Sequence, residues 1–106
     1  MPDMRVITHP QPELMNLPQI FQALADPIRL EIVQRLTITG PLTCGQLNGG
    51  RPKSSMSHHY KILRDAGLLH TEVVGKEHYN SLRMADIQAV CPGLLEVVTR
   101  ATLPAL

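Results

Sequence analysis

Residues 51–69 read RPKSSMSHHYKILRDAGLL, and the fold turns on how residue types alternate along them. After Arg51-Pro52-Lys53, Ser54 and Ser55 offer capping oxygens for a helix that runs to about Ala66, where Gly67 stops it. At about 100° per residue, Met56, His59, Tyr60 and Leu63 gather on one side of that helix. Ser54, Ser57, His58, Lys61, Arg64 and Asp65 gather on the other. The first side is made to pack on a core. The second is small and polar at its N-terminal end and basic further along. Short polar side chains let a helix approach base edges closely in a major groove, and flanking cations meet phosphates. An amphipathic helix by itself only covers a core, so its neighbours have to decide the reading.

Those neighbours form an ordered series. Upstream, a first helix is expected from Pro18 to Ala25, burying Ile20, Phe21 and Leu24. Asp26-Pro27 restarts the chain, since Asp26 can accept from free N–H groups and proline tolerates the first helical position. Ile28, Ile32, Val33 and Leu36 then share a face until Gly40-Pro41 ends that helix. Thr43 is a cap for a short helix, Cys44 to Leu47, closed by Asn48-Gly49-Gly50. Downstream, Leu68 to Val74 and Glu77 to Arg83 are β-compatible runs on either side of Gly75-Lys76, a hairpin turn. With a two-residue turn, Val73 pairs with His78 and His70 with Ser81, which sets the two histidines on opposite faces. From Met84 the pattern is helical again, interrupted at Cys91-Pro92-Gly93 and resumed through Leu94, Leu95, Val97 and Val98. The expected fold is mainly α with a β-hairpin wing, a winged helix-turn-helix of order α-α-α-α-β-β-α whose DNA-reading part spans residues 41–83.

Composition sets the limits of this reading. The chain has 106 residues, room for one small core. The expected division is a flexible arm over residues 1–16 and one domain over 17–103. With Phe21, Tyr60 and Tyr79 its only aromatic residues, the core is aliphatic, which favours helix on helix. No apolar run approaches the ~20 residues that span a bilayer, and the N-terminus lacks the basic-then-apolar order of a secretory signal. Cys44 and Cys91, the only two cysteines, are too few for a disulfide framework and suit a reducing compartment, so a cytoplasmic location is expected. Formal charge is +1 overall, but residues 51–76 hold five basic and two acidic side chains against three and four in residues 1–50 and two and three in residues 77–106. A local positive segment inside a near-neutral chain is what phosphate contact requires. Arg51, Lys53, Lys61, Arg64 and Lys76 are therefore expected on phosphates, with Ser54, Ser55, Ser57 and His58 nearer the bases. No Gly-rich phosphate loop, nucleophile elbow or HExxH zinc motif occurs, so an enzyme is not expected. A winged-helix module that binds protein with the same surface is the alternative, and a steep salt dependence of binding separates the two.

Two segments carry a family resemblance. FQALADPIRLEIV, residues 21–33, resembles the opening signature ALADPTRLxIL of the ArsR/SmtB repressors. SSMSHHYKILRDAGLL, residues 54–69, resembles their recognition segment SxSTVSxHLKxLREAGLV. With the Gly75-Lys76 wing and with Tyr79 and Leu82 behind it, the likeness covers roughly residues 17–102. It implies a homodimer with the first and last helices at its interface, bound to a palindromic operator on double-stranded DNA and blocking transcription until a signal releases it.

The family's usual sensors are missing. Where metal-sensing members carry Cys-x-Cys before the recognition helix, this chain has Thr43-Cys44-Gly45. Where a second family site uses Asp and His on the final helix, it offers Asp86, Gln88, Glu96 and Thr99. Soft or borderline metals need several converging N or S ligands, so no metal and no cofactor is expected. Adjacent His58 and His59 project ~100° apart, a poor chelate, with His59 facing the core. Cys44 and Cys91 remain as candidate thiol sensors, each read as lying at a helix start, where free N–H groups favour the thiolate. Free cysteines also commonly serve as small buried hydrophobes. The sequence names no other inducer.

Overall fold

The computed structural model describes residues 7–102. Residues 1–6 of the expected arm, and residue 103 at the end of the expected domain, lie outside the described residues. A single 3-10 turn, Pro12–Leu14, precedes α1 (Leu17–Leu24) and α2 (Pro27–Thr39). Then follow β1 (Leu42–Thr43), α3 (Cys44–Asn48), α4 (Lys53–Asp65), β2 (Leu69–Val74), β3 (Glu77–Leu82), α5 (Met84–Val90) and α6 (Leu94–Arg100).

The helix boundaries follow local chemistry. Asn16 caps α1 by accepting from the Gln19 N–H, and Asp26 caps α2 by accepting from the N–H groups of Ile28 and Arg29. Thr43 and Gln46 form a reciprocal capping box on α3, each side chain accepting from the other's backbone N–H. At the end of α4, the Gly67 N–H donates to the Arg64 carbonyl at 2.9 Å and the Leu68 N–H to the Leu63 carbonyl at 3.1 Å, a Schellman closure. Gly67 stands at φ +87°, and a Cβ there would come within 2.4 Å of Met15 Cγ, so both conformation and space demand glycine.

The α4 start departs from expectation. Helix geometry begins at Lys53, with Pro52 in the cap position, two residues before Ser54, and no side-chain cap. Ser54 and Ser55 therefore lie in the first turn rather than capping it, and Ser55 Oγ donates back to the Pro52 carbonyl at 2.9 Å.

Behind the hairpin the sheet is three-stranded and antiparallel, in the order β1-β3-β2. The hairpin register is the one the turn dictates: Val73 pairs with His78 and His70 with Ser81. Strand β1 was not foreseen, because two residues are too short to show an alternating pattern. Leu42 and Thr43 pair with Asn80 and Tyr79, which ties the chain before α3 directly to the wing.

The core lies between the helices and the inner face of the sheet. Ile20, Ile32, Leu47, Met56, Leu63, Leu68, Leu69 and Ile87 are essentially excluded from solvent. Phe21, expected inside, is 52% exposed. The inner stripe of α1 is Ile20, Ala23 and Leu24, and Phe21, one residue on from Ile20, is carried about 100° round the helix. Among the described residues no helix is long and apolar enough to cross a membrane.

Candidate nucleic-acid interface

The surface around α4 is built by packing its other side. Met56, Tyr60 and Leu63 are buried at the spacing of one helix face, while Ser54, Ser55, Ser57 and His58 are exposed. Tyr60 locks α4 to the preceding short helix: its hydroxyl meets Asn48 Oδ1 at 2.5 Å and lies 3.4 Å from the Cys44 carbonyl. Burial, with the Cys44 thiol beside it, pushes the Tyr60 phenol far above its ordinary value, so it stays a neutral donor.

The expected phosphate contacts differ in how they are held. Lys53 and Lys76 are exposed, Lys53 opening α4 and Lys76 completing the wing turn beside Gly75 at φ +62°. Lys61 is exposed but bonded to Asp65 Oδ2 at 2.8 Å, an i,i+4 pair legible in the spacing and overlooked. Arg51 is half-buried, its guanidinium 3.5 Å from Glu31 on α2. Arg64 is half-buried on α4. A groove between the helices and the wing is lined by Lys53, Ser57, Tyr60 and Cys44 on one side and Lys76 and His78 on the other. A neighbouring depression brings Ile7 and Thr8 beside Ser57, Lys61 and Arg64. Residues scattered over the middle of the chain thus share one surface.

The N-terminal segment reaches this surface by contacts that no local pattern signals. His9 Nε2 accepts from the Thr71 N–H at 2.9 Å on the outer edge of β2, and its ring stacks on His70 with centroids 4.5 Å apart. Arg83 donates to the Pro10 carbonyl at 2.8 Å. Burial first, then the charges of His70, Arg83 and Arg64, hold the His9 imidazole below its ordinary value.

His59 turns inward, as expected, and meets a partner that was not foreseen. Its Nδ1 lies 3.2 Å from Arg29 Nη1 and 4.0 Å from Asp26 Oδ1. Burial is the main influence lowering the His59 pKa, and Arg29, His58 and Arg51 act the same way against the opposing Asp26 charge. Burial works against the Asp26 carboxylate, but the Arg29 backbone amide and guanidinium and the Ile28 amide outweigh it, so that carboxyl sits below its ordinary value.

The cysteines occupy unlike positions. Cys44 opens α3, is half-buried, and its sulfur accepts from the buried Asn80 amide at 3.2 Å. Cys91 is not at a helix start. It is the C-cap of α5, its N–H bonded to the Ile87 carbonyl, and α6 begins only at Leu94 after Gly93. Gly93, in the left-handed conformation, separates Pro92 from the last helix, so the free N–H groups of α6 lie beyond Cys91. Among the described residues no three His, Cys, Asp or Glu side chains gather where a metal ion could sit.

Known proteins agree with this architecture. Residues 24–72 match a family described as a helix-turn-helix domain. The chain is 40% identical over 83 residues, 76% of its own length and 83% of the relative's, to the HTH-type transcriptional regulator YceK of Bacillus subtilis (strain 168). Among solved structures, an ArsR family transcriptional regulator is similar over 74% of this chain and 88% of its own, at 32% identity and a TM-score of 0.64. HlyU from Vibrio cholerae N16961 is similar over 78% and 87%, at 24% identity and a TM-score of 0.67, a likeness of fold.

Proposed function

The chain belongs to the ArsR family of winged helix-turn-helix transcriptional regulators, and on that premise we propose that it is a homodimeric repressor that binds a palindromic operator through α4 and the wing. The observation that carries this reading is the α4 surface, where exposed Ser54, Ser57 and His58 stand opposite the buried Met56, Tyr60 and Leu63. Ser57 and His58 read base edges in the major groove, with Ser54 and Ser55 at the approach of the helix. Lys53 and Lys76 neutralise phosphates on either side, joined by Arg64 and, as Asp65 and Glu31 yield them to the DNA backbone, by Lys61 and Arg51. Two copies set their recognition helices about 34 Å apart, one turn of duplex. Support for pairing comes from apolar side chains left in water on α1 and α6, Leu17, Phe21 and Val97, the first and last helices by which the family dimerises.

Selection of bound sequences from random duplex tests this function. A palindromic consensus is expected to emerge, with affinity that falls steeply as salt rises. Ser57→Ala or His58→Ala changes the preferred sequence, whereas Lys76→Ala weakens binding to every duplex and lowers the salt slope by about one. Equal losses on selected and random duplex for all three variants would contradict this division of roles.

A further inference from the structure

We infer that Arg29 is a positioning residue for the recognition helix, holding α4 through the imidazole of His59 at the angle from which Ser57 and His58 meet base edges. The inference rests on the proposed reading of α4 as the base-reading helix.

Burial of Met56, Tyr60 and Leu63 decides which face of α4 is inside, but apolar burial has no direction and leaves the rotation and slide of the helix loosely set. Base reading needs tighter control, on the order of 0.5 Å and 10–20°. No side-chain cap fixes the N-terminal end of α4. Tyr60 ties it sideways to α3, and Gln19 Nε2 ties its far end by donating to the Asp65 carbonyl at 3.0 Å. The Arg29–His59 contact is the link to α2 at mid-helix.

Arg29 is built to deliver that contact. Its Nε donates to the Ala23 carbonyl at 2.6 Å and its Nη2 lies 3.5 Å from the Gln22 carbonyl, both in the last turn of α1. Its backbone N–H is held by Asp26 at 3.1 Å. The planar guanidinium is thereby fixed by α1 and by the start of α2, and the remaining Nη1 points at His59 Nδ1. A guanidinium only donates, so Nδ1 accepts and the ring proton sits on Nε2. His59 directly follows His58, and the two rings lie 6.2 Å apart. Any shift of His59 is passed to the base-reading residues over a single peptide unit.

The contact requires neutral His59. Protonation would turn Nδ1 into a donor facing a donor. The ionisable groups around the ring are Arg29, Arg51 and His58, with Asp26 as the acidic one. Asp26 Oδ1 is already shared by two backbone N–H groups, and Glu31 is engaged with Arg51. Protonation therefore loosens the link rather than replacing it.

The test compares the full chain with Arg29→Gln, His59→Leu and His59→Asn on two probes, a duplex enriched by selection and a scrambled duplex of the same composition, in a pH series from 7.5 down to about 4.5, because burial holds the His59 imidazole below its ordinary value. Arg29→Gln and His59→Leu are expected to lower the preference for the enriched duplex roughly tenfold, the loss of one hydrogen bond from a charged donor, with scrambled-duplex affinity within about twofold. His59→Asn, whose carbonyl oxygen replaces Nδ1, restores most of the preference and no longer loses it at the acid end of the series as the wild type does. Affinity for the scrambled duplex reports whether a variant is folded, and should Arg29→Gln lose both affinities the His59→Asn pH profile decides. Retained preference in a folded Arg29→Gln, or the same pH profile in wild type and His59→Asn, overturns the inference. If the wild type enriches no sequence at all, the base-reading premise falls and the positioning role with it, a result distinguishable from failure of the Arg29 contact alone.

Discussion

Replacing Asn80 by leucine should loosen the wing from the helix-turn-helix. Asn80 is fully buried on β3. Its Oδ1 accepts from the Thr71 hydroxyl on β2 at 2.8 Å, and its Nδ2 donates to the Leu42 carbonyl on β1 at 3.4 Å and to the Cys44 sulfur at 3.2 Å. One amide thus joins all three strands and the first residue of α3. Leucine leaves the Thr71 hydroxyl, only 5% exposed, without its acceptor, at about 1–3 kcal/mol. Loss of the amide's own bonds adds about 1 kcal/mol, since sulfur is a weak acceptor, and the branched side chain strains a well-packed site. We expect about 2–4 kcal/mol of destabilisation, a fall in Tm of roughly 10–30 °C for a domain of this size. Thermal and urea unfolding at one fixed protomer concentration measure it, because the proposed pairing makes Tm depend on concentration. The second arm is Thr71→Val, which removes the other member of the pair. In Thr71→Val/Asn80→Leu the orphaned hydroxyl is gone, so the double variant should be more stable than the sum of the single losses by at least ~1 kcal/mol. An Asn80→Leu protein within about 0.5 kcal/mol of wild type, or strictly additive losses, would refute the view that a buried polar network joins wing to reader.

Three further outcomes follow from the same physical reasoning. Gly67→Ala forces a left-handed φ on a residue with a Cβ and drives that Cβ into Met15, for a cost of about 2–4 kcal/mol by denaturation; adding Met15→Ala should relieve the steric part, and strict additivity would count against the clash. Thr43→Ala removes half of the α3 capping box and should cost about 1 kcal/mol by urea midpoint; a cost below about 0.3 kcal/mol would mean that the cap contributes little. His9 is harder to protonate in the fold than its ordinary value of 6.5, so the unfolded chain takes up the proton first as pH falls. The stability His9 contributes is whole above that value and is lost below it. His9→Gln keeps an acceptor for the Thr71 N–H without titrating, so wild type should lose more Tm than His9→Gln between pH 7.5 and 5.5, and parallel losses would remove His9 as the cause.

The features legible in the chain are those whose cause lies within a few residues. Asp26-Pro27 starts α2 because aspartate accepts from N–H groups two and three positions on. Gly67 ends α4 because only glycine takes its φ cheaply. The Gly75-Lys76 turn fixes the hairpin register, and with it the opposite facing of His70 and His78. The serine-rich start and basic flanks of α4 were readable for the same reason, since side-chain type and helical period place them on one face.

What the sequence by itself determined, then, is the winged helix-turn-helix and the polar face of its recognition helix, because capping, turn geometry and hydrophobic period act over short chain distances. Only the tertiary structure decided which partners those elements find. Strand β1 exists because Leu42 and Thr43 meet β3 some 36 to 38 residues later. Arg29 meets His59 across 30 residues, and His9 meets Thr71 across 62. The engagement of Arg51 with Glu31 is likewise an outcome of packing. Contacts between residues far apart in the chain depend on how whole elements stack, and no local pattern encodes that.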